Sequence, residues 1–161
     1  MSTTINGVHF KSPSGVRVDI DTSQFNANLK LAQYWLDSQV MADMIPLMPM
    51  DTGTFIQATR SRSAALAGTG VVCAAAPPYG RYLYYGKVMV DSETGKGARP
   101  ITLKTGEVIF RHRLGATLVP TSRPLTYQNP DAVPEWFEVA KEDHYDDWCE
   151  GVAKILGGHY G

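Results

Sequence analysis

A chain of 161 residues, 43% of them hydrophobic, can enclose one compact core, whereas two independent domains would each be too small to be stable. The formal net charge of −1 excludes a general basic excess that would hold nucleic acid through its phosphates, although charge can still be segregated locally. The chain lacks a cationic stretch followed by an apolar run at its start, and no segment reaches the roughly 18 apolar residues that span a bilayer. We therefore expect one domain over residues 1–161, made in the cytoplasm, with no membrane contact.

The first part of the chain predicts a hairpin and a long helix. Residues 8–20 consist of a short apolar run, a Ser-Pro-Ser-Gly turn and an alternating apolar stretch, which is typical of a strand, a turn and a half-buried strand. From Phe25 to Met44 apolar residues recur every three or four positions, and Asp21, Thr22 or Ser23 could cap the helix. This spacing predicts an amphipathic helix of about twenty residues that ends at Pro46 and Pro49.

The middle of the chain predicts shorter elements. Residues 55–63 are interpreted as a second helical or extended piece. The apolar run 71–75 begins with β-branched residues and predicts a strand. Residues 87–128 combine glycines and prolines with only brief apolar runs, which predicts a long arm with one hairpin. Such an excursion is unusual in a compact domain unless it is functional, and we expect residues 87–123 to be mobile in the free protein.

The last element is a helix from Asp131 to Leu156, with Pro134 in its first turn and a stop at Gly157-Gly158. Two helices and several antiparallel strands imply an α+β fold, in which a long N-terminal helix and a C-terminal helix pack against a small antiparallel sheet. Cys73 and Cys149 have neither CxxC nor Cys/His ligand spacing, so we expect two buried free thiols, no metal and no cofactor.

A tyrosine-rich segment has the composition of a protein interface, in which tyrosine and arginine are enriched. Its interface candidates are Tyr79, Arg81, Tyr82, Tyr84 and Tyr85. In a strand, Tyr82 and Tyr84 would share one face, and Leu83 and Tyr85 the other. We expect at least one face to contact another subunit, the alternative being that Leu83 and Tyr85 only fill the core.

Charge is distributed unevenly along the chain. Residues 96–123 hold six Lys and Arg against one Glu, a net charge of +5, and residues 131–150 hold eight acids against one Lys, a net charge of −7. In a head-to-tail ring, Arg111 and Arg113 of one subunit could meet Asp146 and Asp147 of the next. The segments could instead pair within one subunit, or the basic arm could line a channel and touch DNA phosphates.

Three patterns could carry chemistry. Asp51-Thr52-Gly53 matches the triplet of aspartic proteases, but prolines precede it and a helix-like stretch follows, which favours a helix-to-helix turn with Gly53 at an unusual backbone angle. His144 and its acidic neighbours point around most of a helix, which favours a solvated face over a metal site. Gly68-Thr69-Gly70 lacks the third glycine and the preceding strand of a nucleotide-binding turn. No Ser/His/Asp or Cys/His set has spacing that argues for nucleophilic catalysis.

Four segments resemble a minor capsid protein family of tailed phages of Gram-positive bacteria. The longest reads Pro78-Tyr79-Gly80-Arg81-Tyr82-Leu83-Tyr84-Tyr85-Gly86-Lys87-Val88-Met89-Val90-Asp91. The others, in the same order as in that family, are Pro49-Met50-Asp51-Thr52-Gly53, Pro124-Leu125-Thr126-Tyr127 and Pro134-Glu135-Trp136-Phe137. The resemblance covers roughly residues 25–157.

The resemblance implies a structural virion subunit with no assigned chemistry. The wider group is similar to tail-completion proteins, which implies a homo-oligomeric ring at the head-tail junction, beside other neck or connector, tail-terminator or capsid proteins. Arg81→Ala or Tyr84→Ala is then expected to hinder virion completion more than it lowers stability. The alternatives are an auxiliary protein on the capsid surface and, more remotely, an aspartic protease. The resemblance does not fix the copy number of the ring, its neighbours or a contact with DNA.

Overall fold

The computed structural model describes residues 4–77, 80–106 and 108–158. The elements follow in the order β1 (Val8–Lys11), β2 (Arg17–Ile20), α1 (Ser23–Met44), α2 (Thr54–Leu66), α3 (Gly80–Tyr85), β3 (Lys87–Asp91), β4 (Arg99–Thr102), β5 (Val108–Arg111), β6 (Leu118–Pro124) and α4 (Trp136–Leu156). The α+β class is therefore confirmed. The expectation of one sheet is wrong, because the strands of the described residues form three separate antiparallel pairs, β1–β2, β3–β6 and β4–β5.

The two long helices pack mainly on each other rather than on a sheet. The core unites the end of α1, the following 3-10 turn Ile45–Leu47, α2 and α4. Its buried members are Val40, Met41, Met44, Met48, Ile56, Trp136, Ala140 and Trp148. All of these members lie in the helices or in the turns beside them, so helix-on-helix contact buries the apolar stripes.

Helices α1 and α4 interlock at two points. A Cβ added to Gly151 would overlap the ring of Trp35, so the absence of a side chain on α4 lets the indole reach the helix backbone. The indole N–H of Trp148 donates a hydrogen bond of 2.7 Å to the Asp43 carboxylate on α1. These contacts fix the rotation of α4 about its axis and therefore decide which residues of α4 face outward.

Helix α4 begins later than the sequence predicts, at Trp136 instead of Asp131. Pro134 precedes the helix instead of lying in its first turn, and Glu135 adopts a left-handed conformation with φ of 52°. The backbone N–H of Glu135 donates to the carbonyl of Tyr84 at 2.7 Å, which holds this entry in place. The predicted stop is confirmed, because the N–H groups of Gly157 and Gly158 bond to the carbonyls of Lys154 and Ala153.

The expected strand at residues 71–75 is wrong, because this stretch is irregular. Its backbone groups bond to side chains instead of to a neighbouring strand. The hydroxyls of Ser63 and Thr59 on α2 accept from the N–H groups of Cys73 (3.2 Å) and Ala76 (3.1 Å). The indole N–H of Trp136 donates to the Ala74 carbonyl at 2.9 Å. With these polar groups satisfied by side chains, the segment needs no sheet.

The first hairpin and the predicted arm are both present. β1 pairs with β2, as predicted. Within residues 87–128, β4 and β5 form the expected hairpin, while β3 and β6 form a second ladder that brings the two ends of the arm together. The arm, residues 87–128, therefore has a base formed by the β3–β6 ladder and a separate β4–β5 hairpin beyond that base.

Candidate interaction site

The tyrosine-rich segment is a short helix, so the side-chain alternation of a strand does not apply to it. Helix α3 spans Gly80–Tyr85, while Tyr79 lies outside the described residues. The backbone of Gly80 approaches that of Ala75 so closely that an added Cβ would lie 2.6 Å from a carbonyl carbon, so this close contact requires glycine. Because the turn is helical, the tyrosines spread around an axis instead of alternating between two faces.

Tyr84 packs against the core of the protein. Its ring lies edge-on against the buried Trp136, with the ring centroids 4.9 Å apart, and against Tyr85 at 5.5 Å. Burial is the main cause that raises the pKa of the Tyr84 phenol above its usual value. Leu83 also packs against the core cluster, as the core alternative requires, whereas Arg81 and Tyr85 are exposed and Tyr82 is half-buried.

Arg113, one of the two arginines expected to bind a neighbouring subunit, has partners within its own chain. Its Nε lies 2.9 Å from Oδ2 of Asp91, and its Nη2 lies 2.6 Å from Oε2 of Glu93. The Asp91 side chain is only 3% exposed, and the Arg113 hydrogen bond is the main cause that lowers the pKa of this carboxyl to about 2. Arg113 therefore ties the end of β5 to the end of β3 and the turn after it.

A different arginine pair lies on the hairpin. Arg99 and Arg111 are cross-strand partners at the base of β4 and β5, so their side chains leave the same face of the ladder, and both residues are exposed. Like charges placed opposite each other destabilise a hairpin. The other face carries Val108 and Phe110 beside Pro100 and Thr102, and Phe110 is 64% exposed.

Helix α4 carries an exposed acidic face opposite its buried stripe. Positions 138, 142, 146 and 150 fall on one ridge at a spacing of four residues, and positions 143 and 147 fall on the neighbouring ridge. Asp146 and Asp147 are both exposed. Within the described residues, two ion pairs on this helix join residues of the helix itself. They are His144 with Asp147 at 3.6 Å and Lys154 with Glu150 at 2.6 Å. Within these residues, no ion pair joins Arg111 to Asp146 or Asp147 of the same chain.

Apolar side chains are exposed on several projecting surfaces. In the first hairpin, Val8, Phe10, Val18 and Ile20 share one face through the pairs Val8–Ile20 and Phe10–Val18, and Phe10 is 54% exposed. On α1, Leu31 and Tyr34 are exposed. Leu114, in the turn after β5, is 99% exposed. Of these residues, those of the first hairpin form one apolar face, and an exposed apolar face is typical of a surface that contacts another molecule.

An open cleft of about 840 Å³ lies between the turn before α2, helix α3 and the β3–β6 ladder. Its lining includes Phe55, Tyr82, Met89 and Tyr127. The Tyr127 hydroxyl donates to the Leu83 carbonyl at 2.5 Å, and burial raises the pKa of that phenol. His112 also lines the cleft, and its Nδ1 is a buried side-chain atom without a hydrogen-bond partner in the described part of the chain.

The Asp51-Thr52-Gly53 triplet forms a turn on the rim of this cleft. Gly53 has φ of 78° and immediately precedes α2, as the turn interpretation predicts. The Thr52 hydroxyl bonds to the hydroxyl of Thr54 at 2.9 Å rather than to a carboxylate. Here the triplet follows a helical turn, whereas the protease arrangement requires a strand.

The two cysteines are free, as expected, but Cys73 and Cys149 are half-buried instead of buried. No group of three or more His, Cys, Asp or Glu residues suitable for a metal ion occurs among residues 4–77, 80–106 and 108–158. None of the helices in the described ranges is long and apolar enough to cross a membrane.

Comparison of the chain with protein-family models, with curated proteins and with solved structures finds no match. The geometry of the chain and the motifs in its sequence therefore carry the functional argument alone.

Proposed function

We propose that this protein is a structural subunit of a tailed-phage virion, a minor capsid or neck protein that assembles into a ring at the head-tail junction. The observation that carries the proposal is the exposed apolar face of the first hairpin, on which Val8, Phe10 and Ile20 lie together. Phe110 on the second hairpin and Leu114 after it are exposed as well. A protein that works alone in water rarely leaves such groups uncovered. Packing against a neighbouring subunit would remove them from solvent at a gain of roughly 25 cal/mol per Å² of apolar surface.

The form of the chain supports a role in assembly. The helical body is closed around Trp136 and Trp148, while the arm and the first hairpin are built from separate two-stranded ladders. A two-stranded ladder is marginally stable alone, and a neighbouring subunit would supply the missing packing. The four segments that resemble the minor capsid family support a virion subunit in particular.

Disruption of the gene in the virus that carries it tests this function. We expect the mutant lysate to contain DNA-filled or emptied heads and separate tails, with infectivity restored when the protein is supplied from a plasmid. Particles with attached tails and normal infectivity would contradict the proposal. Complete virions with altered head stability would instead favour an auxiliary protein on the capsid surface.

A further inference from the structure

We infer that the cross-strand pair Arg99 and Arg111 binds the acidic face of α4 in a second copy of this chain. This contact rests on the proposed assembly role and specifies its partner. The pair is a local concentration of two cations on one hairpin face, with Arg113 excluded because Asp91 and Glu93 already hold it. The partner surface must therefore carry several carboxylates on a rigid element of secondary structure.

Helix α4 meets that requirement. Asp143, Asp146 and Asp147 are exposed and lie close together on two neighbouring ridges of the helix. The contacts of Trp148 with Asp43 and of Gly151 with Trp35 hold α4 against α1 and leave the three carboxylates exposed. A planar guanidinium can bond two carboxylate oxygens at once, so two adjacent arginines can span adjacent ridges.

The repulsion between the arginines supports the same partner. Arg99 and Arg111 lie opposite each other in the ladder, where like charges are unfavourable. An incoming carboxylate between the two guanidinium groups turns this unfavourable pair into a favourable site. The arm of one subunit and the helix of the next then form a heterologous contact, the type that produces a ring when its rotation closes.

Sedimentation velocity of the full chain over a range of concentration and salt tests this inference. We expect wild-type protein to self-associate and to dissociate as salt rises from about 50 to about 500 mM, because exposed charges are screened. The double variant R99E/R111E should weaken association at least about tenfold at low salt. Adding D146K/D147K to the same chain should restore most of the association and return the net charge to that of the wild type.

A matched control separates a specific contact from net charge. Arg60 and Arg62 are exposed on α2, so R60E/R62E changes the charge by the same amount as R99E/R111E. It should leave association within about twofold of the wild type, because these arginines lie outside the proposed contact. Circular dichroism of each variant establishes that the fold is intact. A wild type that stays monomeric up to millimolar concentration, or a charge swap that restores nothing, would overturn the inference.

The result also separates this inference from the proposed function. Normal association of R99E/R111E, together with poor DNA retention in virions that carry it, would overturn the contact with α4 and assign the arginine pair to the DNA channel, with the virion role intact. Failure of the proposed function is detected separately, because particles with attached tails and normal infectivity would then form after disruption of the gene.

Discussion

Asp91 and Arg113 join the β3–β6 ladder to the hairpin beyond it. The Asp91 carboxylate is almost fully enclosed, accepts from the Arg113 Nε at 2.9 Å and also accepts from the backbone N–H of Glu93 at 3.0 Å. The two residues are 22 positions apart in the chain, and the β3–β6 ladder ends at Asp91. The hairpin is therefore held to the base of the arm by an ion pair.

This ion pair predicts acid sensitivity of the arm. The pKa of the Asp91 carboxyl is about 2 in the folded protein against 3.8 ordinarily, so its stabilising effect is complete above about pH 4 and is lost as the pH falls toward 2. The protection of amide hydrogens in β3 and β5, measured against the intrinsic exchange rate at each pH, should decrease over this range in the wild type. In Asp91→Asn this protection should be low already at about pH 5 and should change much less between about pH 4 and 2.

A second prediction concerns Asp37, a buried carboxylate on α1. It accepts hydrogen bonds from the backbone N–H groups of Gly68 (2.7 Å) and Gly70 (3.0 Å) and from the Gln33 amide (2.8 Å), and so holds the loop after α2. Asp37→Ala would leave these donors unsatisfied and should lower the free energy of unfolding by about 2–4 kcal/mol. Urea denaturation measures the loss.

The neighbouring Ser38 provides the control for this measurement. Its side chain is exposed and donates only to the Tyr34 carbonyl one turn earlier on the same helix. Ser38→Ala should therefore change the free energy of unfolding by less than about 1 kcal/mol. Equal losses in the two variants would contradict the role assigned to Asp37.

A third prediction separates the roles of the tyrosine-rich segment. Tyr84→Ala removes a ring that packs on Trp136 and should lower the free energy of unfolding by about 3 kcal/mol. Arg81→Ala changes an exposed side chain and should cost about a few tenths of a kcal/mol while hindering virion completion. Thermal denaturation and infectivity are measured on both variants. A large stability loss in Arg81→Ala would assign that residue to the core as well.

A fourth prediction concerns proteolysis of the arm. The ion pairs of Arg113 hold the hairpin to the base of the arm, so trypsin should cleave free protein first at Lys96 or Lys104, on either side of β4, and more slowly at Arg113. The same sites should be protected in virions, where neighbouring subunits would cover them. Equal protection of the free and assembled protein would contradict the expectation that residues 87–123 become ordered on assembly.

The sequence predicted the elements with strong periodicity better than those fixed by tertiary contacts. The spacing of apolar residues placed α1 and the end of α4 correctly, and the Gly53 turn followed from residue type. The segment 71–75 was misassigned as a strand, and the strand geometry considered for the tyrosine-rich segment does not apply, because residues 80–85 are helical. At residues 71–76, the hydroxyls of Thr59 and Ser63 accept backbone hydrogen bonds that a neighbouring strand would otherwise accept. No local sequence pattern predicts these contacts with α2.

The interface candidates show the same limit. The sequence identified the charged arm and the acidic helix, but charge counts could not show that Arg113 is held by Asp91, a residue outside the basic segment. Nor could they show that Arg99 and Arg111 face each other across a ladder, because strand register depends on how the chain turns between them. The exposed apolar face of the first hairpin was missed, although the alternation that ends at Val18 and Ile20 was the available signal.

Immunogold electron microscopy of purified virions tests the proposed position at the head-tail junction most directly. Antibody raised against the full chain should label one position per particle, where head and tail meet, in wild-type virions and in virions complemented from a plasmid. Particles from the disrupted gene should carry no gold. Uniform labelling over the head would assign the protein to the capsid surface, and virions without label, alongside abundant free protein in the lysate, would contradict a structural role in the particle.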